Sequence, residues 1–311
     1  MKKPILTLLL FSFLSLTILY AQNEIEIKTD NLILHGTLIN PNNNAKTIVL
    51  FISGSGNTDR NGNSYAGNQE YVNNSLKMLA EALSDNGIAS LRYDKRGVGK
   101  SRNESFTERD LRFGHFVNDA ISCINYLQKE FDQILIAGHS QGALVGILAA
   151  QKAKIHKFIS LAGLSDSGYN TIKRQLSNQP EFVTGAAFPI LDSIKNGKKV
   201  DSIPQFLNTI FRPQIQDYLI SFINQNPQKE LNKLDIPILV VQGTTDLQIT
   251  VDEAKKMADA NKKSKLLIIE KMNHILKKAE ADPNKNLLTY NNPELPLHEN
   301  LLKPILEFIK E

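Results

Sequence analysis

From residue 22 onward, short apolar runs alternate with stretches whose apolar residues recur every three or four positions. Runs of that length suit strands, and the three-to-four spacing suits helices with one buried stripe. Their alternation predicts an α/β fold, a mostly parallel sheet flanked by helices. Residues 24–29 and 32–39, joined by Asp30-Asn31, read as an N-terminal antiparallel hairpin. Residues 47–53 (TIVLFIS) are apolar without alternation, as expected of a strand covered on both faces. Further strands are expected at 88–93, 133–137, 157–162, 236–242 and 265–270. Leu76, Leu79, Ala80 and Leu83 mark one helix, and Val117, Ile121, Ile124 and Leu127 another. Two more helices are expected at 251–260 and near 301–309.

Residues 164–234 break this rhythm. Phe206, Ile210 and Phe211, then Ile215, Leu219, Phe222 and Ile223, fall at helical spacings with no strand between them. Pro180, Pro189, Pro204 and Pro213 should cut the stretch into short helices. So long an interval between two strands favours a helical cap insertion over sheet-flanking helices. The core would then comprise residues 22–163 and 235–311.

Composition adds exclusions. With 41% hydrophobic and 22% charged residues, the chain carries enough apolar matter for a large core and is not a disordered polymer. Its net charge is +4, and Lys2 and Lys3 lie in a leader without acidic residues. So mild a balance predicts no nucleic-acid or polyanionic partner. That leader, residues 1–21, joins Lys2-Lys3 to an apolar run from Ile5 to Tyr20 and ends on the small Ala21. It reads as a signal peptide cleaved after Ala21, which would export the chain to the periplasm or beyond with no membrane span left; an uncleaved anchor is the alternative. Cys123 is the only cysteine, so no intrachain disulfide can form.

Candidate chemistry centres on Gly138-His139-Ser140-Gln141-Gly142, a G-x-S-x-G pattern. The pentapeptide alone recurs by chance in about one chain of this length in ten. Here an apolar strand runs into it and a helix rich in small residues (Ala143, Gly146, Ala149, Ala150) leaves it. That context predicts a strand–turn–helix elbow presenting Ser140 as a nucleophile, with the Gln141 N–H facing a developing oxyanion. Such a serine needs a base, and the base needs a carboxylate to orient it. Asp246 and His274 each follow a late strand, in the expected order. Asp235 and Asp252 are poorer placed, one at a strand start and one in a helix. His35 lies inside a strand, His115 precedes a helix, His139 belongs to the elbow, His156 precedes a strand and His298 lies beside the last helix. The Ser55 N–H, in Gly54-Ser55-Gly56 after the first buried strand, is the second oxyanion candidate. Asp59-Arg60-Asn61-Gly62 could orient that loop, contact substrate or simply form a solvated turn. Arg92-Tyr93-Asp94-Lys95-Arg96-Gly97 reads as a structural turn with ion pairs.

Taken together, SGSGNTDRNG at 53–62, RYDKRGVGKS at 92–101, GHSQG, Gly-Thr-Thr-Asp at 243–246 and Met-Asn-His at 272–274 resemble the α/β-hydrolase superfamily. The first two segments are similar to bacterial carboxylesterases with a helical cap. The resemblance covers nearly all of residues 30–311. It implies an eight-stranded sheet, the triad Ser140, Asp246 and His274, and neither metal nor organic cofactor. The chain lacks the His-Gly-Gly-Gly of lipase-type relatives. The expected activity is hydrolysis of a small-molecule ester with an apolar acyl or alkyl group, through an acyl-enzyme. A thioesterase or an aminopeptidase would use the same triad, and a non-catalytic binding protein of this fold would be expected to have lost part of it.

Overall fold

The computed structural model describes residues 22–66, 69–102 and 107–311; the leader, 1–21, lies outside them. Among the described residues no helix is long and apolar enough to cross a membrane.

Eight strands form one sheet. In chain order they are β1 (Gln22–Lys28), β2 (Ile33–Ile39), β3 (Thr47–Ile52), β6 (Ala89–Tyr93), β7 (Gln133–His139), β8 (Lys157–Leu161), β9 (Ile238–Gly243) and β10 (Ser264–Ile269). A separate small hairpin, β4 (Ser64–Ala66) with β5 (Gln69–Tyr71), lies in the polar stretch after β3. Across the large sheet the order is β1-β2-β6-β3-β7-β8-β9-β10. Strand β2 runs antiparallel to both β1 and β6, and every other pairing is parallel. The expected hairpin and mostly parallel sheet are both present.

Residue alternation on β3 explains the two cores. Ile48, Leu50 and Ile52 join one apolar cluster, and Val49 and Phe51 join the other. Helices α2 (Phe113–Leu127), α3 (Gln141–Ala150) and α9 (Val251–Asp259) cover the first face. Helices α1 (Ser75–Ser84) and α11 (Leu302–Lys310) cover the second. Both faces are buried against apolar side chains, so the central strands read as largely apolar runs. His115 falls within the first turn of α2 rather than before the helix, because α2 begins at Phe113.

Between β8 and β9 the chain forms only helices: α4 (Gly168–Ser177), α5 (Glu181–Lys195), α6 (Asn208–Phe211), α7 (Gln216–Ile223) and α8 (Pro227–Leu231). Tyr169, Leu191, Ile194, Phe211, Leu219 and Ile223 belong to a third apolar cluster there. One expectation fails in this segment. Pro189 does not break a helix but sits inside α5. Its ring displaces the hydrogen bond to the carbonyl four residues back, at Gly185. Both residues are exposed, so water can take that carbonyl, while Ala187, Ile190, Leu191 and Ile194 bury the opposite face.

Strand register sets the layout above the sheet. Ile52 pairs with Gly138, which puts the loop after β3 beside the elbow after β7. Phe51 pairs with Arg92, which brings the turn after β6 against that same loop. Gly243 pairs with Ile269, so the segments leading to Asp246 and His274 leave the sheet side by side. All of these loops lie at the carboxyl ends of parallel strands, where open α/β sheets bind ligands.

Candidate active site

Ser140 sits between β7 and α3 with φ +53° and ψ −122°, a strained conformation for a residue with a Cβ. Surrounding packing holds it there. A Cβ added at Gly142 would come within 2.2 Å of the Ile52 carbonyl oxygen and 2.6 Å of that of Ser53. We expect Gly142→Ala to lower stability by at least about 2 kcal/mol, measured by urea unfolding, and to leave no measurable ester turnover.

His274 and Asp246 are joined directly. The His274 Nδ1 donates to Asp246 Oδ2 at 2.8 Å, leaving Nε2 as the basic nitrogen. The side chains are 5% and 0% exposed. Asp246 is fully engaged: Oδ1 accepts from the backbone N–H of Gln248 (2.7 Å) and Ile249 (3.0 Å), and Oδ2 also accepts from Gln242 Nε2 (3.0 Å). Burial by itself would raise this carboxyl. The charge and hydrogen bond of His274, with the two backbone donors, outweigh it and hold the group below its ordinary value. The rival aspartates stand elsewhere: the side chain of Asp235 is 94% exposed and that of Asp252 is 81% exposed.

The serine and the base meet through the elbow itself. His139 Nε2 lies 2.8 Å from the His274 carbonyl oxygen, and their ring centroids are 4.8 Å apart. A carbonyl can only accept, so the proton of His139 is on Nε2. Ser140 Oγ makes no hydrogen bond to His274 among the described residues, a contact that often tightens only when substrate is present. Burial first, and then the neighbouring His274 imidazole, push His139 down to about 4. His139 is therefore neutral in the folded chain but takes a proton near its ordinary value when unfolded. Its contribution to stability is full above about pH 6.5 and lost as the pH falls through about 4, a total of about 3 kcal/mol. Urea unfolding at a series of pH values should show this decline, and His139→Asn should flatten it.

The loop after β3 completes the arrangement. Gly54 abuts the nucleophile: a Cβ added there would lie 3.2 Å from Ser140 Cβ. Ser55 is exposed, and neither its N–H nor that of Gln141 donates to a described residue. Thr58 Oγ1 donates to the Ser55 carbonyl (2.7 Å) and Ser53 Oγ to the Thr58 carbonyl (3.1 Å), which closes the loop on itself. The next turn is structural. Asp59 Oδ1 caps the N–H groups of Asn61 and Asn63, and buried Arg60 reaches Thr37, Glu24 and Asp94. Ion pairs also fix the turn after β6, where Arg96 grips Asp119 through two nitrogens.

Three further features carry no local signal in the sequence. Asn286, on the short helix α10 (Pro283–Leu288), donates to the Thr245 carbonyl at 2.8 Å and accepts from Asn273 at 3.2 Å, tying the acid loop to the base loop. Tyr218, on α7, donates to Gln141 Oε1 at 2.8 Å, so the helical segment holds the side chain beside Ser140. Lys95 donates to the carbonyls of Gly54 and Gly56.

Sheet order, elbow and late-strand acid and base define the α/β-hydrolase fold, and comparison with known proteins agrees. A family model described as serine aminopeptidase, S33, matches residues 66–202, a span that includes Ser140 but neither Asp246 nor His274. No curated protein sequence matches the chain. Among solved structures, Est1E from Butyrivibrio proteoclasticus, with ferulic acid bound, aligns at 20% identity over 92% of this chain and all of its own, with a TM-score of 0.60. A Pyrococcus furiosus esterase aligns at 17% identity over 94% of this chain and 90% of its own, with a TM-score of 0.58. A bromoperoxidase from Bacillus anthracis aligns at 17% identity over 93% and 100%, with a TM-score of 0.56. At such identities the likeness is one of fold, and fold leaves the chemistry to the site.

Proposed function

We propose that the chain is an exported serine esterase that cleaves small-molecule carboxylic esters through an acyl-enzyme. The observation that carries this reading is the buried His274–Asp246 pair, held against the strained elbow of Ser140 by the 2.8 Å contact from His139. His274 Nε2 takes the proton of Ser140 as Oγ attacks the ester carbonyl. A C–O bond to Oγ forms, and the carbonyl oxygen gains negative charge. The N–H groups of Gln141, at the start of α3, and of Ser55 hold that oxyanion, each worth about 3 kcal/mol in such sites. His274 then gives its proton to the departing alcohol as the original C–O bond breaks. Water, deprotonated by His274, releases the acid and restores Ser140. Asp246 keeps the tautomer and stabilises the imidazolium throughout.

Aminopeptidase action is the second reading, favoured by the description of the matching family. An aminopeptidase needs a free carboxylate to hold the substrate amine. Between β8 and β9 the acids are otherwise occupied or outward. Asp192 accepts from Tyr169, Asp217 pairs with Lys199 and Arg112, Glu230 pairs with Lys233, and Asp166 holds Ser167 and Asn170. Glu181 and Asp201 are exposed. The Phe, Ile and Leu content of this segment, much of it packed into its own apolar cluster, suits an acyl or alkyl group better than an ammonium. Export rests on the signal-like leader.

The test is a panel of p-nitrophenyl esters of rising chain length, matching thioesters, and aminoacyl p-nitroanilides on the mature protein. Esters should exceed anilides by at least about 10²-fold in kcat/KM. Preferred turnover of the anilides would replace the esterase reading with the peptidase one, and preferred turnover of thioesters with a thioesterase.

A further inference from the structure

Among the described residues, Lys95 is the one charged residue of the turn 94–97 after β6 without an ionic partner. Its neighbours Asp94 and Arg96 pair with Arg60 and Asp119. Lys95 itself is 4% exposed, and among the described residues no carboxylate comes within ion-pair distance of it. Burying an ammonium without a counter-charge is costly, so a fold that keeps one there needs a compensating use for it. The compensation present is two carbonyls of a single loop. The ammonium donates to the Gly54 and Gly56 oxygens, the second at 2.9 Å, and lies 5.6 Å from the centre of the Phe116 ring.

Those two carbonyls flank Ser55. No peptide bond among the described residues is cis, and in a trans peptide the C=O of one residue and the N–H of the next point in opposite directions. Turning the Gly54 oxygen down to Lys95 therefore turns the Ser55 N–H the other way. Gly54 itself lies against Ser140, close enough that an added Cβ would come within 3.2 Å of the Ser140 Cβ.

Resting on the esterase reading, we propose that Lys95 is the positioning residue of the oxyanion hole: its ammonium pins the Gly54 and Gly56 carbonyls so that the Ser55 N–H is presented to the oxyanion on Ser140. The buried charge also adds positive potential beneath the developing negative one, where a low dielectric makes it effective. Burial pushes the Lys95 amine down to about 7, opposed by Asp59, the acid that faces it most strongly. From the elbow side the neutral His139 ring feels the same charge, and from α2 the Phe116 ring faces it. The neutral amine keeps two N–H donors but loses the charge that strengthens both bonds and supplies the potential, so the charge-assisted part of the contribution should fade as pH rises through about 7.

The test compares wild type, Lys95→Met and Lys95→Arg on p-nitrophenyl butyrate, with phenylboronic acid as a tetrahedral, oxyanion-bearing probe. Lys95→Met should lower kcat by about 10²-fold, change KM by less than about threefold, and weaken boronate binding by about the same factor as kcat. A purely structural lysine would instead lower the melting temperature and leave the kcat of the folded fraction unchanged. Lys95→Arg keeps the charge at all accessible pH values. It should retain kcat within about tenfold and lose the decline in kcat above neutral pH that wild type shows. If Lys95→Met does not fold, this pH comparison decides: identical alkaline profiles in wild type and Lys95→Arg overturn the proposal. A folded Lys95→Met with wild-type kcat and boronate affinity also overturns it, and leaves the esterase reading standing. A wild-type protein that hydrolyses no ester overturns both.

Discussion

Replacing Ser140 by alanine is expected to reduce kcat for p-nitrophenyl esters by about 10⁶-fold while leaving a folded protein. The alanine keeps the Cβ that the elbow already accommodates at φ +53°, and Ser140 Oγ donates to no described residue. Folding should therefore survive the change, and only the nucleophile is lost. What remains should still exceed reaction in water, because on this proposal the N–H groups of Gln141 and Ser55 would bind the polarised carbonyl without it. The same logic makes the loss non-additive. His274→Ala should cost nearly as much alone, and the Ser140→Ala/His274→Ala double variant should be no slower than either. Steady-state kinetics on the three variants, with circular dichroism to establish folding, checks the set. Losses that multiply in the double variant would mean that the two residues do not act as one unit.

Asp246→Asn should have the second largest effect, a fall in kcat of about 10⁴-fold with KM little changed. Three donors now converge on this carboxylate besides His274: the N–H groups of Gln248 and Ile249 on Oδ1, and Gln242 Nε2 on Oδ2. An amide cannot serve them all. With its oxygen kept on the two backbone donors, its NH₂ faces both Gln242 and His274 Nδ1. The imidazole must then present a lone pair at Nδ1 and carry its proton on Nε2, where a base is needed. Geometry is kept and the tautomer is wrong. Asp252→Asn and Asp235→Asn, on exposed side chains, should leave kcat within about twofold. An effect of either comparable to that of Asp246→Asn would reassign the acid.

How much of this was legible in the chain follows from where each residue finds its partners. Residues 47–53 and 133–137 read as strands because both faces of β3 and β7 are buried and the inner positions, Ile48–Ile52 and Ile134–Ala137, are all apolar. The GHSQG elbow was legible because its requirement is local: two close backbone approaches in a strand–turn–helix. Asp246 and His274 were legible by position, since each follows a strand end in a fixed order. The hairpin of β4 and β5 was missed, because its short strands lie in an Asn- and Gly-rich stretch without alternation. Pro189 misled because the cost of a proline in a helix depends on whether the freed carbonyl meets water. Asn286, Tyr218 and Lys95 gave no signal, since each acts on backbone or side chains distant in sequence. Lys95 in particular looks like a surface lysine in a charged turn until the loop after β3 is folded over it.

The central claim, that Ser140 is a nucleophile activated by His274 and Asp246, is tested most directly by covalent labelling with a fluorophosphonate and mapping of the modified peptide. The account predicts one adduct per chain, on Ser140, formed rapidly by wild type and by Asp252→Asn, slowed by orders of magnitude in His274→Ala and Asp246→Asn, and absent in Ser140→Ala. An adduct on another residue, or equal labelling of wild type and Ser140→Ala, would contradict it.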